Sequence, residues 1–299
     1  MADQGGLSIL IPVFNCDVTK LVWQLVEQAT DWPGPVSIDL LDDASTREFR
    51  LLNAQVTDWP LVRYQKLPRN IGRAAIRNQL ARDAQHEWLL LLDNDSLLPD
   101  SQFLRRYAAT LGQASVIIGG TCYRSTPPAD PALHLRWHYG QEREAQPATV
   151  RQAVPYSQLT INNALIRNDI FRQFPLDERL TGYGHEDTKF GVELAAAHVP
   201  VWHLDNPVLH EGLEPAPVFL QKSEQAVLNL VQVYRQDGLG TDSRLLQTAL
   251  RLRSLKLASI AAKALAVAAP RLHRQLLSAK PSLRAFDLLK LHWLLRELA

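Results

Sequence analysis

The chain has 299 residues, 46% hydrophobic and 21% charged, with a net charge of +1. That is ordinary for a globular protein that buries a core, and length alone allows one large α/β domain or one domain with an appendage. Two distant cysteines, Cys16 and Cys122, exclude a disulfide framework and point to a reducing, cytoplasmic setting. The opening MADQGGLSILIPVF lacks the basic start and long apolar stretch of a signal peptide. No run reaches the roughly 18 uncharged apolar residues that mark a spanning helix.

In chain order, residues 8–14 (SILIPVF) read as a buried strand, being short, apolar and rich in Ile and Val. Residues 19–30 put Leu21, Val22, Leu25, Val26 and Ala29 on one helical face. Residues 36–43 (VSIDLLDD) form a second strand. Ser45-Thr46-Arg47-Glu48 then has the pattern of a capping box, with Ser45 at the cap and Glu48 reaching back. A third strand spans 62–66, and a helix spans 72–84. Residues 88–92 are apolar throughout, as in a central strand covered on both faces. A helix over 100–111 and a strand over 114–123 follow. This alternation predicts an α/β architecture, a doubly wound and mainly parallel sheet.

Residues 125–157 break the rhythm, with five prolines and little periodicity, and read as a long excursion. Regular structure resumes over 160–174, with helices over 186–198 and 218–234. From 243 to 299 there are 11 Lys and Arg against two Asp and Glu, a net of +9, while residues 1–242 carry −8. The break suggests a domain boundary: a sheet domain over 1–215 and a basic, helical extension over 216–299.

Ligands of open α/β sheets bind at the carboxyl ends of the strands. Here those ends carry Pro12 to Asn15, then Asp42-Asp43, then Asp93-Asn94-Asp95. Clustered carboxylates are costly unless a cation neutralises them. Mg²⁺ and Mn²⁺ are commonly held by one or two carboxylates together with substrate phosphates. The plain alternatives are a solvated turn at Asp93–Asp95 and a helix-capping arrangement at Asp42–Ser45. The segment from Asn70 to Asn78 places Arg73 and Arg77 at a helix start, a favourable place for phosphate, although taken alone it reads better as surface arginines pairing with acids. Glu186-Asp187 follow a glycine-bearing loop, either as a proton acceptor beside a substrate or as acids complementing a helix dipole. His210 is a weak metal-ligand signal on its own.

The order of these segments carries more than any one of them. SILIPVFN, DDAS, NIGRAAIRN, LLLLDNDS and GYGHEDT together resemble a family-2 glycosyltransferase of the GT-A fold, over about residues 8–212. The stretch from FPLDERLTGYGHEDT to NPVLHEG looks like a bacterial subgroup. The resemblance implies transfer of a sugar from a nucleotide-diphosphate sugar, with UDP as the commonest carrier, to an acceptor hydroxyl with inversion. It implies Mn²⁺ or Mg²⁺ as cofactor. It assigns Asp43, with Asp42 beside it, to the nucleotide base, and Pro12 and Asn15 to the nucleotide pocket. Asp93, Asn94 and Asp95 match the metal and diphosphate motif, with Asp95 the direct ligand. Glu186 and Asp187 match the acceptor-holding residue and the catalytic base. His210 matches a position that completes the metal site, and Arg73 is a donor contact.

The expected partners are therefore a nucleotide-sugar donor and a saccharide or lipid-linked acceptor, in cell-envelope polysaccharide or glycolipid synthesis. The basic tail reads either as a surface for anionic lipid, a third partner that would set the cytoplasmic protein peripherally at the inner face of the cell membrane, or as a helical subdomain that packs on the acidic body or forms an oligomer. Nucleic acid is not expected, since the aromatic interleaving and motifs for it are absent. Two other readings compete. A sugar-nucleotide pyrophosphorylase needs a glycine-rich, basic loop after the first strand, where this chain has VFNCDVTK. A non-catalytic sugar-nucleotide-binding or assembly protein would not need both Asp95 and Asp187.

Overall fold

The computed structural model describes residues 5–179, 184, 186–241 and 243–298. They form two compact units: Met1–Tyr123 with Ala145–Arg179 and Glu186–Gly212, and Arg124–Glu144 with Leu180–His185 and Leu213–Ala299. The excursion thus divides. Its first part joins the C-terminal helices, and its second part stays with the sheet.

The first unit holds strands β1 (Leu7–Val13), β2 (Val36–Asp42), β3 (Val62–Lys66), β4 (Trp88–Leu92), β5 (Ser96–Leu97), β6 (Val116–Ile118), β7 (Thr121–Cys122), β8 (Asn163–Arg167), β9 (Val201–His203) and β10 (Val208–His210). Among the described residues, one sheet has the order β3-β2-β1-β4-β8-β6-β9. Only β8 runs against its neighbours β4 and β6; the rest are parallel. Period-two alternation feeds two separate cores. Ile9, Ile11, Leu90 and Leu92 face one side, with Leu21 and Leu25 of α1 (Thr19–Gln28). Leu10, Leu89 and Leu91 face the other, with Ile76 and Leu80 of the helix Arg73–Asp83. A strand buried on both faces must be apolar at every position, and β4 is.

The helices α2 (Arg47–Asn53), α3 (Arg73–Asp83), α4 (Phe103–Ala108), α5 (His134–Tyr139), α6 (Ala148–Gln152), α7 (Asn168–Gln173) and α8 (Glu186–Ala196) fill the connections. Three sequence expectations change. The helix expected over 100–111 is the shorter α4. The strand expected over 114–123 splits into β6 and β7 around Gly119-Gly120. There a Cβ on Gly119 would meet Asn163 Nδ2 and Tyr107 Oη at 2.4 Å, so the two buried polar groups need the missing side chain. The capping box does not form: α2 starts after Thr46 with no side-chain cap, because Ser45 Oγ is spent accepting the backbone N–H of Asn15.

The second unit comprises α5, α9 (Ala216–Asp237), α10 (Arg244–Ser254), α11 (Ala258–Leu276) and α12 (Leu283–Glu297) around a core of Leu135, Phe219, Leu230, Phe286, Leu289, Trp293 and Leu294. Among the described residues no helix is long and apolar enough to cross a membrane.

Candidate active site

The carboxyl ends of β1, β2 and β4 open on one rim, and backbone-directed hydrogen bonds fix its loops. Asp42, fully buried, accepts the Ser45 N–H at 2.7 Å on Oδ1 and the Tyr64 hydroxyl at 2.6 Å on Oδ2. Burial and this carboxylate hold the Tyr64 phenol far above its ordinary pKa. Asp43 accepts the N–H groups of Ile71 at 2.7 Å and Gly72 at 3.1 Å, just before α3. Gly72 has φ +89°, a left-handed value that frees those N–H groups to point at one carboxylate. Asn15, also left-handed at φ +46°, bridges the rim by donating its N–H to Ser45 Oγ and accepting the Thr46 N–H at 2.8 Å. Pro12 lies on β1 at the same end.

At the end of β4 the two aspartates separate. Asp93 Oδ1 pairs with the buried Arg77, and Oδ2 lies 3.7 Å from Arg73 Nη2. Arg73 Nε also donates to Glu186 Oε1 at 3.1 Å, so one guanidinium ties the β4 end to the start of α8. Arg77 is not the surface arginine of the plain reading. Its side chain is only 3% exposed and its Nη1 donates to the Arg73 carbonyl at 3.1 Å. Asn94 Nδ2 donates to the Phe14 carbonyl at 3.4 Å, and its own carbonyl accepts the Cys16 thiol at 3.4 Å.

Asp95 faces His210, with Oδ1 3.4 Å from Nδ1. A small sheet, β5-β10-β7, makes that approach: β10 is antiparallel to β5, and His210 sits opposite Ser96. The Glu211 N–H donates to the Asp95 carbonyl at 2.9 Å. Gly212 follows, where a Cβ would lie 2.1 Å from Asp95 Oδ2 and fill the space beside the carboxylate.

Glu186 and Asp187 open α8. Burial acts to raise the pKa of Glu186, but the charges of Arg73 and Arg77 outweigh it and keep the carboxyl below its ordinary value. Asp187 goes the other way. Burial first, and the Glu186 charge second, push it up to about 7. Its Oδ1 is buried and makes no hydrogen bond among the described residues. The rest of the GYGHEDT motif, apart from Gly184 and Thr188, lies outside the described residues. Cys16 is a neighbour that sequence reasoning passed over. Burial and then Asp95 raise its thiol to about 11, so it stays protonated and is no nucleophile at neutral pH.

Among the described residues no group of three or more His, Cys, Asp and Glu side chains gathers as a ready metal cage. Asp95, His210 and the space held open by Gly212 nevertheless fit a Mn²⁺ or Mg²⁺ ion that takes few protein ligands and completes its shell with phosphate oxygens. Asp93, already answered by two arginines, is the less available carboxylate.

The profile described as Glycosyl transferase family 2 matches residues 8–173, more than half of the chain. No curated protein matches the sequence. The fold is similar to the 1–349 piece of S. aureus TarS, at 15% identity and a TM-score of 0.52, over 97% of this chain and 90% of that one. Against a longer TarS chain, 77% of this chain aligns with only 40% of the other. The mannosyltransferase PcManGT from Pyrobaculum calidifontis, solved with GDP-Man and Mn²⁺, is similar at 13% identity and a TM-score of 0.57, over 95% of this chain and 85% of that one. Glucosyl-3-phosphoglycerate synthase from Mycobacterium tuberculosis, solved with Mg²⁺ and UDP, is similar at 13% identity and a TM-score of 0.53, over 77% and 79%. These likenesses bear on the fold, and the profile bears on the family. With its mainly parallel sheet and acid-bearing rim, this chain belongs to glycosyl transferase family 2 and has the GT-A fold.

Proposed function

We propose that the protein transfers a hexose from a nucleoside diphosphate, UDP first among the carriers, to an acceptor hydroxyl with inversion, in cell-surface polysaccharide or glycolipid synthesis. The observation that carries this reading is Asp187. It is a carboxyl with a buried, unanswered oxygen and a pKa near 7, on a rim that also holds Asp95 and His210. A group poised near neutrality both takes a proton from an attacking hydroxyl and drives the transfer. Glu186, kept ionised by Arg73 and Arg77, raises the basicity of Asp187 and has acceptor capacity left for a substrate hydroxyl. Asp43 is fixed by two backbone N–H groups and turns its remaining lone pairs to the nucleotide base, with Asp42 bracing the same loop. Pro12, Asn15 and Asn94 line the nucleotide pocket. Asp95 and His210 are the residues that would hold a divalent cation, which when bound would supply charge stabilisation to the leaving diphosphate. Arg73, whose side chain stays 42% exposed beside Asp93, supplies positive charge to the same diphosphate, and the buried Arg77 holds Asp93 in place. The UDP and GDP-Man of the structural neighbours support a nucleotide-sugar donor, and their Mn²⁺ and Mg²⁺ support the cation.

The acceptor's setting is read from the helical unit. On α11, Ala262, Leu265, Ala269 and Leu272 pack inward on the unit's core. The opposite face shows Ile260 at 66% exposure and Val267 at 85%, with Lys263, Arg271 and Arg274 among them. No Asp or Glu occurs from 243 to 286. Apolar side chains set among cations suit an anionic lipid leaflet, and two such faces would repel each other.

Thermal unfolding with UDP or GDP, each with and without Mn²⁺, tests the donor site. A folded-state ligand at a hundredfold excess over Kd stabilises by about 2.7 kcal/mol. The expected result is a metal-dependent rise in Tm with one nucleotide, absent in Asp95→Ala. A rise of equal size without metal, or in the variant, would overturn the metal assignment.

A further inference from the structure

The helical unit contains a cavity of about 690 Å³ whose lining includes Tyr139 and the charged side chains Arg143, Arg244, Arg284, Asp287 and Lys290. These come from three separate stretches: the end of α5 and the turn after it, the start of α10, and one face of α12. Four cations therefore meet a single acid. Arg143 Nη2 pairs with Asp287 Oδ2 at 2.9 Å, and Lys290 Nζ lies 3.8 Å from Oδ1 of the same carboxylate. That carboxylate is shared between two of the four cations. Arg244 and Arg284 form no ion pair among the described residues. Lys290 cannot swing away to solvent without leaving the rings of Tyr139 and Phe286, whose centroids lie 5.5 and 4.7 Å from its ammonium. Burial outweighs the opposing charge of Asp287 and, with a smaller push from Arg143, holds its pKa below the ordinary lysine value.

Like charges crowded into a concavity are a standing electrostatic cost that a bound anion removes. Two guanidinium groups and an ammonium suit tetrahedral phosphate, since arginine forks donate to two oxygens at once. The same cavity has apolar walls: Leu245, Leu291 and Leu288, the last 43% exposed. Its volume lies within the roughly 300–1,000 Å³ of small-molecule sites. Free inorganic anions would leave those leucines uncovered, whereas an ester would cover them.

We propose that this cavity is a binding site for a phosphate ester. The phosphate sits among Arg244, Arg284 and Lys290, and the attached glycerol or sugar lies against Tyr139 and Leu288. Two sources share that chemistry, a phospholipid headgroup and a phosphate-bearing saccharide. The site belongs to the helical unit alone and does not depend on the transfer reaction.

Both free arginines are exposed, so Arg244→Gln with Arg284→Gln leaves the fold intact. Titration of the full chain with sn-glycerol 3-phosphate, at low salt and without divalent metal, is expected to show saturable binding that weakens at least tenfold in the double variant. Co-sedimentation with vesicles of equal parts phosphatidylglycerol and phosphatidylcholine separates the sources. Vesicle binding that falls with the variant assigns the site to a lipid headgroup; vesicle binding that is unchanged, with glycerol phosphate binding lost, assigns it to a soluble ester. Equal glycerol phosphate affinity in the two proteins, or no saturable binding, overturns the proposal. The response to nucleotide and Mn²⁺ is measured on the same samples, so failure of the donor site is seen separately.

Discussion

Asp187 and Glu186 are adjacent carboxyls with opposite fates, and the arginines of α3 decide which is which. Arg73 touches Glu186 directly, so Glu186 keeps its charge and Asp187 bears the repulsion. A base with a pKa of about 7 loses its function as pH falls, so transfer should rise with pH through an acid limb near 7. Asp187→Asn is expected to lower turnover by about 10²–10⁴-fold, the usual contribution of a positioned base. Stability moves the other way. A carboxyl whose folded pKa is raised binds more protons folded than unfolded, so the native state loses stability as pH climbs from about 4 through 7. Asp187→Asn should therefore melt higher than the parent at pH 8, with the gap closing towards pH 4. A parent pH–rate profile with no limb between pH 6 and 8 would remove Asp187 from the role of base.

At the scale of elements, the strand ends were legible because a leucine run that stops at Asp93 has no structural use for the abruptness, and β4 is buried at every position. The capping box was misread for a reason visible only in three dimensions. Ser45 has a partner thirty residues away in Asn15, whose N–H it accepts at 2.9 Å. Ser45→Ala should cost about 1 kcal/mol, the net value of one such hydrogen bond. Its effect should appear as weaker nucleotide binding rather than as loss of α2 helicity, measured by titration and by amide exchange of 47–53. The pairing of Arg73 with Glu186 was equally hidden, because 113 positions separate them and the i, i+4 spacing of Arg73 and Arg77 describes only the helix they share. The helices within the excursion were missed because α5 and α6 are only 6 and 5 residues long and each buries one apolar side chain, Leu135 or Ala148, beside a buried arginine, which leaves no apolar periodicity to read.

For the whole molecule, a net charge of +1 conceals an acidic sheet unit and a basic helical one. Composition suggested a boundary, but carried no sign that residues 124–144 group with the helices, since that depends on Leu135 finding Phe219 and Phe286 in the same core. The exposed apolar and basic face of α11 is the surface that would meet lipid under the proposed function, and net charge alone does not express it. Ile260→Ser with Val267→Ser should weaken vesicle binding several-fold at every salt concentration, since it removes apolar contact rather than charge. Lys263→Gln with Arg271→Gln should weaken it chiefly at low ionic strength, where charge attraction reaches furthest. Flotation assays over a salt series distinguish the two, and equal binding by all three proteins would exclude this face.

The guanidinium of Arg73 spans Asp93 and Glu186, one on the donor side and one on the acceptor side of the proposed reaction. Substitutions at these two carboxylates share a partner, and energies of residues that share a partner do not add. A double-mutant cycle of Asp93→Asn and Glu186→Gln should show a coupling energy of about 0.5–3 kcal/mol, one that disappears when the cycle is repeated in Arg73→Gln. Drift in the donor specificity of such an enzyme would then be epistatic with drift in its acceptor specificity, so that neither half of the site evolves without the other.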